Sequence, residues 1–93
     1  MRVIAGKARG KKLLSPQTDK IRPTLDRVKE SLFNIIGFEI RDCSFLDLFC
    51  GSGAIGIEAI SRDADKVYFV DRDFSSIELT QKNIESCKFV HTN

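Results

Sequence analysis

Ninety-three residues carry 15 Lys+Arg against 13 Asp+Glu, a net charge of only +2, with 42% hydrophobic and 30% charged side chains. That composition is too apolar for a disordered chain, and no apolar run approaches the roughly 18–20 residues of a membrane span. The small net charge hides a split: residues 1–30 hold nine basic and three acidic side chains, a net of +6, whereas residues 31–93 hold six basic and ten acidic, a net of −4.

In chain order, residues 2–6 and 9–14 predict two short strands around a glycine-containing turn, a basic hairpin arm within residues 1–21. Residues 15–20 read as a loop. Pro23 opposes helix immediately before it, and Thr24 is a suitable N-cap with Asp26 in the first turn. Leu25, Val28, Leu32, Ile35 and Ile36 then recur at helical spacing as an apolar stripe, with Arg27, Lys29 and Glu30 opposite and Gly37 as the stop. The spacing predicts a buried strand over 45–49, a tight turn at Gly51-Ser52-Gly53 and a helix over 54–62. A second strand over 66–71 and a helix over 74–87 follow, with Ser75-x-x-Glu78 as a capping box. Strand, glycine turn, helix, strand, helix is the opening of a doubly wound α/β parallel sheet, its two strands adjacent because such crossovers are right-handed.

Few features suggest processing or metal chemistry. The N-terminus lacks the apolar core and small-residue cleavage site of a signal peptide. Cys43, Cys50 and Cys87 form no C-x-x-C pair, and with His91 as the single histidine no zinc site is visible. Such thiols suit a reducing compartment as small buried hydrophobes. A cytoplasmic location with no membrane and no metal is therefore expected.

Gly51-x-Gly53-x-x-Gly56 follows a strand and opens a helix, and Asp71 ends the next strand 20 residues after Gly51. In that context the pattern indicates a nucleotide or nucleoside site, since glycines admit a ligand close to the backbone and a helix start offers free N–H groups. Asp47 discriminates between ligands. A negative side chain four residues before the turn would repel a pyrophosphate and be costly to bury alone. It suits a ligand bearing an ammonium and a sulfonium, such as S-adenosylmethionine. Asp47-x-Phe49-x-Gly51-Ser52-Gly53 is thus expected to hold the methyl donor, with Asp71 on the ribose. Gly56 is expected to serve close helix–strand packing, since a helical glycine otherwise costs about 1 kcal/mol relative to alanine. Asp73 suits the N-cap of the last helix better than a ligand.

Three blocks together are similar to a known family. They are Arg2-Val-Ile-Ala-Gly6-x-x-Arg9-Gly10-x-Lys12-Leu13, Arg22-Pro23-Thr24-x-x-Arg27-Val28-x-Glu30-x-Leu32-Phe33-Asn34-Ile35, and Leu46-Asp47-Leu48-Phe49-x-Gly51-Ser52-Gly53-x-x-Gly56-x-Glu58-Ala59. They closely resemble the RsmD family of bacterial 16S ribosomal RNA guanine-N2 methyltransferases, of the class I, S-adenosylmethionine-dependent, Rossmann-like fold. The resemblance implies that Lys7, Arg9, Lys11 and Lys12 grip RNA phosphates, which fits the basic arm. It places Arg22 beside the active-site mouth, touching either cofactor or RNA. The implied partner is ribosomal RNA in the small subunit or its assembly intermediate.

The family's (Asp/Asn)-Pro-Pro-(Tyr/Phe) motif, which positions the flipped guanine, has no counterpart, because the only prolines are Pro16 and Pro23. Residues 22–93 are accordingly expected to be the N-terminal half of a methyltransferase domain, without a catalytic residue and inactive alone. Two other functions remain open: a non-catalytic RNA-binding fragment, and methylation of another base in RNA or DNA. An NAD-binding oxidoreductase is disfavoured by Asp47.

Overall fold

The computed structural model describes residues 2–14, 22–48 and 50–89, and within the first helix the side chains from Arg27 onward. The described elements run α1 (Arg22–Ile36), a 3-10 turn (Gly37–Ile40), β1 (Ser44–Leu48), α2 (Ala54–Ser61), β2 (Lys66–Val70) and α3 (Phe74–Cys87). β1 and β2 pair in parallel, from Ser44 opposite Lys66 to Leu48 opposite Val70. This is the expected β–α–β unit, with α2 as the crossover.

Side chains alternate across the two strands. Phe45, Asp47, Val67 and Phe69 turn toward the helices, where they meet two small clusters. One joins Val3 and Leu13 to Ala54 and Ile57, with Phe69, Ile84 and Cys87 against it. The other joins Phe33 and Ile40 to Ala59, with Ile36, Phe45 and Val67 against it. On the opposite face Leu46, Leu48, Tyr68 and Val70 remain 47–57% exposed.

Glycine 56 sits where α2 crosses the sheet. A Cβ there would collide with the Phe69 ring and the Val67 side chain, so Gly56 does serve close helix–strand packing. Asp73 caps α3, its side chain accepting from the Ser75 N–H at 3.0 Å, so the cap is Asp73 and not the Ser75-x-x-Glu78 box.

Helix α1 departs from expectation at both its start and its buried face. It begins at Arg22, with Pro23 inside the first turn, where a missing N–H costs nothing. Its inward residues are Lys29, Phe33 and Ile36, at the i, i+4, i+7 spacing of one helical face. Val28, Leu32 and Ile35, expected in the buried stripe, are 58%, 38% and 83% exposed. Lys29, expected on the polar face, is wholly buried. The rotation has two causes: Phe33 stacks on Phe45 with ring centroids 6.0 Å apart, and a buried carboxylate on α2 takes the Lys29 charge at 3.3 Å.

The arm is a hairpin in its shortest form, a single antiparallel bridge between Arg2 and Lys12. Val3 and Leu13 are buried against α2. Four further groups of the arm backbone are tied down by α2 side chains. Ile4 and Ala5 N–H donate to the Glu58 carboxylate, Ala8 N–H donates to Ser61 Oγ, and Ser61 Oγ donates to the Ala5 carbonyl. Arm residues thus use helix side chains where a strand would use a neighbouring backbone.

Candidate functional site: the glycine turn between β1 and α2

The turn lies at the carboxyl ends of both strands, where open α/β sheets bind ligands. Cys50 N–H donates to the Val70 carbonyl at 3.1 Å, joining the two strand ends, and Gly53 N–H donates to the Cys50 carbonyl at 2.7 Å. Gly53 has φ +82°, and a Cβ on it would stand 2.7 Å from Thr80 Cγ2. Both the conformation and the contact therefore demand glycine. Gly51 also has positive φ, but nothing lies within 4 Å of where its Cβ would stand. The turn is therefore open beside Gly51 and packed on α3 at Gly53.

Helix α3 also fixes the direction of the turn's carbonyls. Thr80 Oγ1 donates to the Gly51 carbonyl at 2.9 Å and Asn83 Nδ2 to the Ser52 carbonyl at 2.8 Å. With those carbonyls drawn inward, the N–H groups of Ser52, Ala54 and Ile55 find no acceptor among the described residues. They stand at the positive end of α2, where a helix start leaves N–H groups without an intrahelical partner.

Asp47 is buried at the end of β1, 7% exposed, and its Oδ2 accepts from the Gly56 N–H at 3.0 Å. Burial pushes its carboxyl above the ordinary carboxylate value. The Gly56 hydrogen bond opposes this and the Asp71 charge adds to it. Asp47 Oδ1 meets no hydrogen-bond donor among the described residues. Asp71, at the end of β2, clasps the turn directly, Oδ2 accepting from Gly51 N–H at 3.0 Å and Oδ1 from Asp73 N–H at 2.9 Å. Those two hydrogen bonds, Asp73 foremost, hold its carboxyl below the ordinary range. Each carboxylate oxygen keeps a second lone pair, so Asp71 can bind the loop and a diol together.

Asp47, Gly51, Ser52, Gly53 and Asp71 are thus brought around one turn. Phe49 lies outside the described residues, as does the Arg22 side chain. The expected phosphate-binding groups lie elsewhere. Lys7 sits 4.0 Å from Asp63 and 5.6 Å from the Phe89 ring centroid, beyond the C-terminal end of α2 and away from the glycine turn. Lys11 lies near Cys87 at the end of α3. Arg9, Lys11 and Lys12 are exposed and make no ion pair with a described residue. Among the described residues no group of three or more His, Cys, Asp or Glu is placed to hold a metal. Nor is any helix there long and apolar enough to cross a membrane.

Comparison with known proteins places this geometry. The family described as Conserved hypothetical protein 95 matches residues 1–93. Ribosomal RNA small subunit methyltransferase D of Haemophilus influenzae is 44% identical over 88 residues, covering 95% of this chain and 46% of the relative. Its namesake in Escherichia coli K12 is 42% identical over 88 residues, covering 95% and 44%. The chain belongs to the RsmD family. Among solved structures, yhhF of Escherichia coli superposes with a TM-score of 0.81 at 39% identity, over 95% of this chain and 47% of that one. A hypothetical protein of Thermus thermophilus gives 0.80 at 32% identity, over 97% and 52%. The fold is the opening of a Rossmann-like methyltransferase, and the chain spans about half the length of the curated relatives it matches.

Four residues important to this RsmD-family site escape sequence inspection. Glu58, wholly buried on α2, holds Lys29 at 3.3 Å and Arg62 Nε at 2.9 Å as well as the two arm N–H groups. Lys29 Nζ also donates to the Arg2 carbonyl at 2.7 Å. Thr80 and Asn83 reach the glycine turn from 29 and 31 positions downstream. Nothing in their local pattern marks them: Lys29 falls opposite the apolar stripe of its own helix, and its partner Glu58 lies 29 positions further along the chain.

Proposed function

We propose that the complete protein transfers a methyl group from S-adenosylmethionine to the N2 amine of a guanine in small-subunit ribosomal RNA, in the cytoplasm. This chain carries the donor-binding half. The observation that carries the proposal is the paired acids at the turn: Asp47, buried with one oxygen lacking a donor among the described residues, and Asp71, clasping Gly51. A buried carboxylate held above its ordinary value is relieved by a cation, and the donor's ammonium and sulfonium are cations. A pyrophosphate at the same place would meet two negative charges.

Bound there, S-adenosylmethionine would supply an electrophilic methyl group for the guanine N2, with the thioether as leaving group and the N2 proton passing to solvent. Asp47 would hold the amino-acid end directly or through water. Asp71 would accept both ribose hydroxyls, and the Ser52, Ala54 and Ile55 N–H groups would bind the donor's polar atoms. The exposed Arg9, Lys11 and Lys12, with Lys7 and Arg22, would bind RNA phosphates of the small subunit or its assembly intermediate. The sequence carries no (Asp/Asn)-Pro-Pro-(Tyr/Phe) motif to position the guanine, so the 93 residues alone are expected to transfer no methyl group.

Calorimetric titration of the chain with S-adenosylmethionine and with NAD tests the donor assignment. Binding of the first alone, weakened about tenfold or more by Asp71→Ala, is the expected result. Binding of NAD without S-adenosylmethionine overturns it.

A further inference from the structure

Asn83 occupies the interior of α3, where asparagine is a poor helix former, and it is wholly buried. Its side-chain oxygen accepts from the Leu14 N–H at 2.7 Å, and its amide nitrogen donates to the Leu14 carbonyl at 2.8 Å. The second amide hydrogen goes to the Ser52 carbonyl at 2.8 Å. Both amide hydrogens and the oxygen are therefore used, in a site where each unmet polar group would be costly.

The two ends of this connection differ in kind. Leu14 is the last described residue of the basic arm, and Ser52 is the centre of the glycine turn. Thr80, one helical turn earlier on the same face of α3, holds the Gly51 carbonyl but has no bond to a described residue of the arm. Asn83 therefore links the two regions, whereas Thr80 serves the turn alone. A leucine would fill the same space without burying an amide, so the fixed geometry, and not bulk, is what the amide adds.

We propose that Asn83 is a positioning residue that couples the basic arm to the methyl-donor turn, so that RNA on the arm and donor in the turn strengthen each other's binding. This rests on the function proposed above. An arm fixed by RNA holds Leu14, which holds the plane of the Asn83 amide. That plane keeps the Ser52 carbonyl turned inward and the adjoining N–H groups turned outward to the donor. Reciprocity then follows, because a coupling between two binding equilibria is the same read from either side.

The test titrates S-adenosylmethionine into the 93-residue chain by calorimetry, with and without a saturating short hairpin RNA, and repeats it with the order reversed. RNA is expected to tighten donor binding about fivefold or more, by the same factor as donor tightens RNA. In Asn83→Asp, which keeps an acceptor for Leu14 and loses both donations, and in Asn83→Leu, the factor is expected to fall to about one while each ligand still binds alone, the donor more weakly than to wild type. Thr80→Val is expected to weaken donor binding and leave the factor unchanged, an outcome that a general loosening of α3 would not give. A wild-type factor of one with both ligands binding overturns the coupling, whatever the variants' folding, and leaves the proposed function standing. A factor that persists in Asn83→Asp removes Asn83 from it. Failure of either ligand to bind at all defeats the proposed function itself.

Discussion

The two faces of the β1–β2 sheet are built from alternate residues of the same ten and have opposite fates. One carries three helices and the arm, and buried polar side chains there are met by hydrogen bonds: Asp47 Oδ2 by Gly56, Glu58 by four donors, Asn83 by three bonds to Leu14 and Ser52. The other presents Leu46, Leu48, Tyr68 and Val70 about half exposed. Parallel sheets are ordinarily covered on both sides. Stability and ligand geometry in this chain therefore reside on the covered face, and the bare face contributes little to either.

Substitutions on the two faces should separate accordingly. The largest loss is expected from Glu58→Leu, which strands the Lys29 ammonium inside the protein and frees the Ile4 and Ala5 N–H groups. Breaking such a pair costs about 3–5 kcal/mol, enough to unfold a short chain, as urea titration followed by circular dichroism would register. Stability within about 1 kcal/mol of wild type would mean that the covered face is not held by this ion pair.

Gly53→Ala comes next. The left-handed backbone costs a non-glycine residue about 1–2 kcal/mol, and the new methyl must displace Thr80. A lowered denaturation midpoint together with lost donor binding is expected. Unchanged donor affinity would show that the turn is not the site.

Asp47→Asn separates structure from ligand. Asparagine still accepts from Gly56 N–H but removes a buried charge. Because the Asp47 carboxyl titrates above its ordinary 3.8 when folded, the folded state holds the proton more tightly than the unfolded one. Stability therefore falls as pH rises through the window above that value. The substitution should abolish this slope and leave stability at neutral pH equal or higher, while donor affinity drops about tenfold. In wild type, donor affinity should weaken as pH falls through the same window. Reduced stability at neutral pH would mean that the charge itself supports the fold.

The smallest effect is expected from Leu48→Lys on the bare face: a change in stability within about 0.5 kcal/mol and less self-association by sedimentation velocity. A loss above about 1 kcal/mol would contradict the division between faces.

Much of this arrangement was legible in the sequence. Gly51, Gly53, Asp47 and Asp71 gave themselves away because the constraints acting there are local: a turn with positive φ, a strand end, an acid at a fixed distance. Gly56 was legible because a helical glycine needs a neighbour to explain it. The orientation of α1 was not, since Val28, Leu32 and Ile35 make a good helical stripe by themselves. Two partners outside the helix, Phe45 for Phe33 and Glu58 for Lys29, decide which face turns inward. Asn83 and Thr80 were invisible for the same reason, their partners lying 31 and 29 positions away or farther.

The way the arm is fastened also bears on the order in which the molecule assembles. The bonds from arm residues to Glu58, Ser61 and Asn83 span 53 to 69 positions of chain. Contacts so distant in sequence form late, after the intervening segments have closed. During synthesis the cationic arm is made before any of its anchors exist. It can be fastened only once α2 and then α3 have emerged, so that within these residues the arm packs after the helices that anchor it.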